Sequence, residues 1–413
     1  MIAAEKCSAS ERDRTELKVR IAVNFDDLAA FRTQWDEATE ALGGTVYMTF
    51  DWTRTWWEHY GKGKALRLYI FESGDEVVGI VPVYLESIGI WPLRMKIARF
   101  LGANIPPKVF DPPVHRDFAK AVFEKLVRSL LEGESCDLLS FGPVSSENPS
   151  WRQLLEASRK WSSSACTSRH VKGVHSVFYL PDSMEEFMIP FGKSRTKYRG
   201  RYELRPIKKV HTDVLTDVVS EPSRLEAEFE RFSVQHARQW QAEGKPGHFG
   251  DWPDGRTYNL ALVKTQGALG RMRYTRIRVG ERVLASEYVF AFGGCYYWEL
   301  PARETGNEFD DFRLGTTAAL TMIGTAIKEG IKRVEAGMGH YPYKLELGAI
   351  EHGTVVFHIL KRGLPSRARK WACDIIKYSI ACGYRKMWFR RIQPRLPRSF
   401  RGHQWRSFLR FDY

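Results

Sequence analysis

The sequence predicts an α/β (α+β) protein in which one α/β unit occurs twice, followed by a basic helical segment. Three observations lead there. At 413 residues the chain exceeds one ordinary hydrophobic core, so two interiors are expected. Two strand–turn–strand runs, Arg67 to Leu85 and Arg273 to Phe292, share length, turn position and strand character, as internal copies would. Charge is also uneven: residues 361–413 hold 15 Lys/Arg against Asp374 and Asp412, a net of +13 out of the chain's +14. A nearly neutral body therefore ends in a strongly basic appendage.

The N-terminal residues 1–18, rich in Ser, Glu, Lys and Arg, are expected to be disordered. Asn24 to Leu42 places Phe31, Trp35 and Ala38 at helical spacing, and Thr49 to Tyr60 is a second, aromatic-rich helix. Leu66 to Phe71 and Val77 to Tyr84 are strands joined by the turn Ser73-Gly-Asp-Glu76. A helix from Ala119 to Leu131, a strand from Asp137 to Phe141 and a helix from Trp151 to Trp161 close the first unit. The second unit repeats the order. Its helices run from Arg224 to Trp240 and Tyr258 to Gln266, and its hairpin from Met272 to Arg278 and Val283 to Phe290. A third strand, Gly294 to Glu299, is expected in this unit only. The units divide as 19–185 and 186–360, with 361–413 as the tail.

Composition excludes several classes. With 43% hydrophobic and 13% aromatic residues the chain is globular. Its 6 cysteines, Cys7, Cys136, Cys166, Cys295, Cys373 and Cys382, form no C-x-x-C pair, which argues against a zinc site or a disulfide framework and for a reducing compartment. The polar N-terminus lacks a signal-peptide core, and no run of about 18 apolar residues occurs, so a cytoplasmic protein is expected.

The stretch 312–348 carries the most specific chemistry. Ala319, Leu320, Ile323, Ala326 and Ile327 mark one helical face, starting near Thr316 after the turn Arg313-Leu314-Gly315 and ending at Lys328-Glu-Gly330. The first-turn amides of such a helix, backed by its dipole, form a pocket for an anion such as a pyrophosphate. Ile331 to Ala336 is then a strand leading into the corner Gly337-Met-Gly339.

Hairpin, further strand, Arg313-Leu-Gly315-Thr316 and helix is an order of elements that resembles the GNAT acyltransferase superfamily, where a turn of pattern Q/R-x-x-G-x-G/A holds the pyrophosphate of coenzyme A. The run Lys193 to Arg205, with Gly315, Gly330, Glu335-Ala-Gly337, Gly339 and Tyr343-Lys344, is similar to the CelD-like branch associated with cellulose and exopolysaccharide biosynthesis, itself similar to the tandem-GNAT Fem ligases. The likeness spans roughly residues 45–350. It implies tandem domains, each a mixed, mostly antiparallel sheet flanked by helices, with the second carrying the thioester and the first shaping the acceptor cleft. It implies no permanently bound cofactor, and acyl-CoA or an acyl-carrier thioester as co-substrate. The chain departs from the pattern twice: Thr316-Thr317 stand where a second glycine is usual, and Glu335 where Asp is usual.

Acyl transfer to an amine needs a base, oxyanion donors and an acid for the leaving thiolate, and no nucleophilic Cys or Ser. The candidate bases are Glu299 at a strand end, Glu335 and His340; two have a structural alternative, a solvated strand-end acid for Glu299 and a backbone-bonded turn histidine for His340. Tyr343 and Lys344 are candidates for acid and for a cation against phosphate or acceptor, or else for a Lys laid over a packed Tyr. Arg313, Leu314, Gly315, Thr316 and Thr317 would hold the pyrophosphate. His236 and Trp240, with Phe249, line an acceptor pocket or belong to the core. The run 193–209 holds eight basic residues, among them Arg195 and Arg199, against Glu203 alone; it is a solvated helix face or a phosphate-lined cleft.

Trp371, Ile375, Tyr378 and Cys382 share a face in the tail, and basic residues interleave with Trp and Phe further on. That mixture suits an anionic membrane surface, placing the protein peripherally on the inner face; RNA or an acidic carrier protein is the second reading of the same charge, and a solvated tail the third. The function expected is N-acylation of a primary amine in the cell envelope, on an amino sugar of a surface polysaccharide or a lipid amine such as a sphingoid base. An aminoacyl-tRNA-dependent, Fem-like transferase and a non-catalytic subunit of polysaccharide assembly are the alternatives.

Overall fold

The structure is a computed structural model that describes residues 17–103, 105–106, 108–162, 167–191, 204–211, 213–242, 247–306, 308–309 and 312–396. The basic residues Arg195 and Arg199 and the tail beyond 396 lie outside the described residues, as do residues 1–16; β1 (Lys18–Ala22) begins at the edge of the segment expected to be disordered.

The two hairpins form where alternating β-branched and aromatic residues flank a glycine turn. β2 (Ala65–Ser73) and β3 (Glu76–Ile88) pair in register Tyr69↔Val81 around Gly74, whose φ of 60° suits glycine. β8 (Met272–Val279) and β9 (Arg282–Phe292) pair in register Tyr274↔Tyr288 around Gly280, with the two tyrosine rings stacked at 5.4 Å. Each hairpin is followed by a third antiparallel strand, β4 (Met95–Phe100) or β10 (Cys295–Arg303). The third strand is therefore present in both units, and Met95–Phe100 shows no alternation in the sequence because its polar residues, Lys96 and Arg99, stand three apart, Arg99 being buried in an ion pair with Glu86.

β5 (Leu138–Ser145), β6 (Thr167–Tyr179), β7 (Val214–Val219), β11 (Arg333–Met338) and β12 (Ile350–Leu360) complete one 12-stranded sheet of order β1-β2-β3-β4-β5-β12-β6-β11-β10-β9-β8-β7. The sheet is mostly antiparallel, with β4–β5 and β10–β11 parallel. β12 inserts between β5 and β6, so the late strand of the chain is hydrogen-bonded to the early unit.

Helices cover both faces. Leu314–Lys328 packs Ala319, Met322, Ile323 and Ala326 onto Val289, Tyr296, Trp298, Val334 and Ala336. On the opposite face, Pro222–Ala242 and Gly255–Ala268 bury Phe229, Phe232, Tyr258 and Leu262 against Tyr288 and Phe290. The helix Phe50–Tyr60 of the first unit joins that core: Trp52 meets Phe290 edge-on at 4.9 Å, and Tyr60 meets Tyr258 at 5.2 Å. The two units are thus welded by aromatic packing as well as by strand pairing.

Candidate active site

β10 and β11 pair in parallel from Cys295↔Arg333 to Tyr297↔Glu335 and then part. Beyond that point β10 follows β9 as far as Arg303↔Ala285, while β11 follows β6 to Met338↔His175. A register shift between Trp298 and Leu300 makes Glu299 the bulged residue at the parting point, where a bulge re-aims a side chain. A cleft of about 800 Å³ opens there. Its walls include Tyr297 and Glu335 from one face of the sheet and Trp298 and Ala336, which belong to the core under the Leu314 helix, from the other. The cleft therefore reaches both faces through the gap between the strands.

On the first face, residues of both units converge. Glu299 accepts a hydrogen bond from the Tyr47 hydroxyl at 3.0 Å and is ion-paired with Lys108. Burial, and then the Glu299 charge, hold the Tyr47 phenol well above its ordinary range, so it stays a donor. Asp111 accepts from Asn148 Nδ2 and Trp151 Nε1, each at 3.3 Å, and burial pushes its carboxyl up to about 6. Glu335 Oε2 lies 3.1 Å from His175 Nδ1.

On the second face the corner after β11 needs glycine. Gly337 and Gly339 have φ of 77° and 109°, and a Cβ on Gly339 would sit 2.7 Å from the Tyr341 ring. The corner feeds the short helix Pro342–Glu346, which aims Lys344 back at the gap. The Lys344 ammonium donates to the Ala336 carbonyl and lies 4.4 Å from the Tyr341 ring centre and 5.5 Å from that of Trp298. Burial lowers its pKa to about 8. Beneath it Glu287, fully buried, accepts from Trp298 Nε1 at 2.6 Å, and burial holds its carboxyl well above the usual range, favouring the neutral acid.

At the far end of the cleft stand Trp240, His248 and Phe249. His236 is buried behind them. Its Nδ1 faces the Pro301 carbonyl at 2.8 Å and its Nε2 faces His248 Nδ1 at 3.1 Å. Burial lowers its pKa to about 4, so it is neutral near pH 7 and Nδ1, facing a carbonyl, carries the proton.

Of the residues singled out in the sequence, Glu299, Glu335, Tyr343, Lys344 and Trp240 line the cleft, and His236 supports it from behind. His340 does not line it: its side chain is 63% exposed and bonded to Glu351 at 2.9 Å. The helix after the phosphate-type turn begins at Leu314, with Arg313 in the left-handed region. Arg313 to Thr317 are not among the residues lining the cleft, the Thr316 and Thr317 amides donate to the Arg313 carbonyl at 3.0 and 3.2 Å, and the Arg303 guanidinium lies against Gly315. Tyr47, Lys108, Asp111, Ser145 and His175 were not foreseen. Tyr47, Lys108 and Asp111 stand outside the strands and Ser145 and His175 on β5 and β6 of the first unit, and only strand pairing across the sheet brings them to Glu299 and Glu335.

Residues 194–345 match the family model described as an acetyltransferase (GNAT) domain. A search of curated proteins finds no match to the chain. Among solved structures, FemX superposes with a TM-score of 0.57 at 11% identity, covering 80% of this chain and 96% of that one. A conserved protein of unknown function from Bacteroides thetaiotaomicron gives 0.51 at 10% identity, covering 83% and 100%. The chain thus has a GNAT-type fold: a GNAT domain model matches residues 194–345, and 80% of the chain superposes on FemX.

Proposed function

We propose that the protein is an N-acyltransferase that moves an acyl group from acyl-CoA or an acyl-carrier thioester to a primary amine. The observation that supports this reading is the gap between β10 and β11, through which one cleft reaches both faces of the sheet. A thioester entering beside Trp298 and Tyr343 would present its carbonyl to the Lys344 ammonium, a fixed charge for the developing oxyanion. An amine entering from the other face would meet Glu299 and Asp111, carboxylates able to hold an ammonium and take its proton, with Glu335 beside them bonded to His175.

The acceptor proposed is an amino sugar of a surface polysaccharide in preference to a lipid amine. The helix Leu364–Cys382 turns Trp371, Ile375 and Tyr378 outward, exposed by 67, 44 and 69%, while Ser366 and Cys373 face the protein. At the same end, Gly89 lies against Cys373, and the loop after it exposes Ile90, Trp91 and Leu93. No described helix is long and apolar enough to cross a membrane. An anionic membrane surface would suit this basic, apolar end, with the protein peripheral on the inner face. The cleft, at His352, is separated from it by the length of β12 to Leu360, about 26 Å of strand. An acceptor reaching the cleft from the aqueous side fits that separation.

The test is incubation with short- and long-chain acyl-CoA and a panel of amino sugars and lipid amines, following amide formation by mass spectrometry and thermal stabilisation by each thioester. Amide formation that is lost in Lys344→Met is expected; no stabilisation and no amide with any thioester overturns the reading. That Arg313 to Thr317 do not line the cleft favours one alternative, a donor that does not need a pyrophosphate site, such as aminoacyl-tRNA. Nuclease-sensitive copurification and steep salt dependence would mark it.

A further inference from the structure

Ser145 on β5, His175 on β6 and Glu335 on β11 come from three strands and meet on the acceptor face of the cleft. Ser145 Oγ lies 3.1 Å from His175 Nε2, and His175 Nδ1 lies 3.1 Å from Glu335 Oε2. A carboxylate only accepts, so Nδ1 carries the proton and donates to Glu335; Nε2 is left to accept from the Ser145 hydroxyl. His175 is 4% exposed and Ser145 8%, so water competes little for either bond. The Glu147 amide, 3.4 Å from Ser145 Oγ, is a backbone donor beside the same atom. Nucleophile, base and orienting acid in that order and at hydrogen-bond reach are the geometry of an activated serine. Direct attack of an amine on a thioester makes no use of it.

We propose that Ser145 is a nucleophile that carries the acyl group between donor and acceptor. Oγ attacks the thioester carbonyl as its proton passes to His175 Nε2; the C–S bond breaks and the leaving sulfur takes that proton, leaving an ester on Ser145 and a free thiol. The amine then attacks the ester carbonyl, gives its proton through Nε2 to the departing Oγ, and leaves as the amide with Ser145 restored. Glu335 stays ionised and holds the imidazolium that forms in each half. The donor's identity rests on the acyl-transfer reading; the reactivity of the serine does not.

Two arms test it. Wild-type protein given a fluorophosphonate is expected to label at Ser145, with labelling lost in Ser145→Ala and cut roughly 100-fold or more in His175→Gln and Glu335→Gln. Given acyl-CoA without amine, it is expected to gain the acyl mass on the Ser145 peptide, and Ser145→Cys to gain it as a thioester even if Ser145→Ala folds poorly. Ser145→Ala with wild-type melting and undiminished amide formation, or wild-type protein that neither labels nor gains mass, overturns the nucleophile. Amide formation without an adduct sinks the serine and leaves acyl transfer standing; labelling at Ser145 without amide from any thioester does the reverse.

Discussion

Lys108 and Glu299, 191 positions apart, form an ion pair across the cleft, with side chains only 19 and 7% exposed. One belongs to the loop after β4 and the other to the bulge of β10, so the pair ties the two units together at the point where the parallel strands part. It also shows how a candidate base is held: Glu299 receives an ammonium and a phenol from the first unit before any acceptor arrives.

Removing one partner of a mostly buried pair strands the other charge. Lys108→Met is expected to destabilise the fold by about 3–5 kcal/mol, and Lys108→Met with Glu299→Leu to recover much of that loss. Urea unfolding of the single and double variants measures both.

Lys344 has a folded pKa near 8, lowered by burial from 10.5. Between those values the unfolded chain binds the proton and the folded one does not, so stability rises with pH across that window; below it, both states are charged and burial is at its most unfavourable. Lys344→Met is expected to be more stable at pH 7 by up to about 3 kcal/mol, an advantage that fades toward pH 10, while losing activity. Melting curves from pH 7 to 10 beside activity assays would show it, and a variant that is less stable at every pH would refute it.

Asp111 behaves oppositely, because burial raises its folded pKa from 3.8 to about 6. Between those values the folded state binds the proton and the unfolded state does not, so this group's contribution is lost as pH rises through 6. Asp111→Asn is expected to gain roughly 1–3 kcal/mol at pH 7 and to lack the wild-type rise in stability between pH 6 and 4. Its affinity for a cationic acceptor should fall, read as a higher KM.

Gly339→Ala places a methyl 2.7 Å from the Tyr341 ring at a φ of 109°. A loss of about 1–3 kcal/mol is expected, with the ring that covers Lys344 displaced. Faster acetylation of Lys344 by an amine-reactive reagent than in wild type is the specific readout; general destabilisation alone would leave its rate relative to other lysines unchanged.

How far the sequence reached follows from the range of the interactions involved. The hairpins at 65–88 and 272–292 and the helix 314–328 were legible because turn glycines and periodic apolar residues act within a few positions. β12 was not, since its buried residues Val355 to Leu360 form a run, apolar but for His358, that says nothing of which strands it will join. Lys344 was visible as part of a Tyr-Lys motif. Its burial, its Trp298 neighbour and its lowered pKa were not, because Trp298 stands 46 positions away on β10 and is brought to Lys344 only by the packing of separate elements.

By itself the sequence determined the repeated hairpin, the uneven charge, the glycine corner and several residues that line the cleft, all consequences of local chain geometry and side-chain chemistry. The tertiary structure alone decided that one sheet of strands from both units would run through the molecule, that β10 and β11 would part at Glu299, and that Tyr47, Lys108, Asp111, Ser145 and His175 would gather there. Strand partnership depends on burying faces made by distant segments, and no local pattern records which faces those will be.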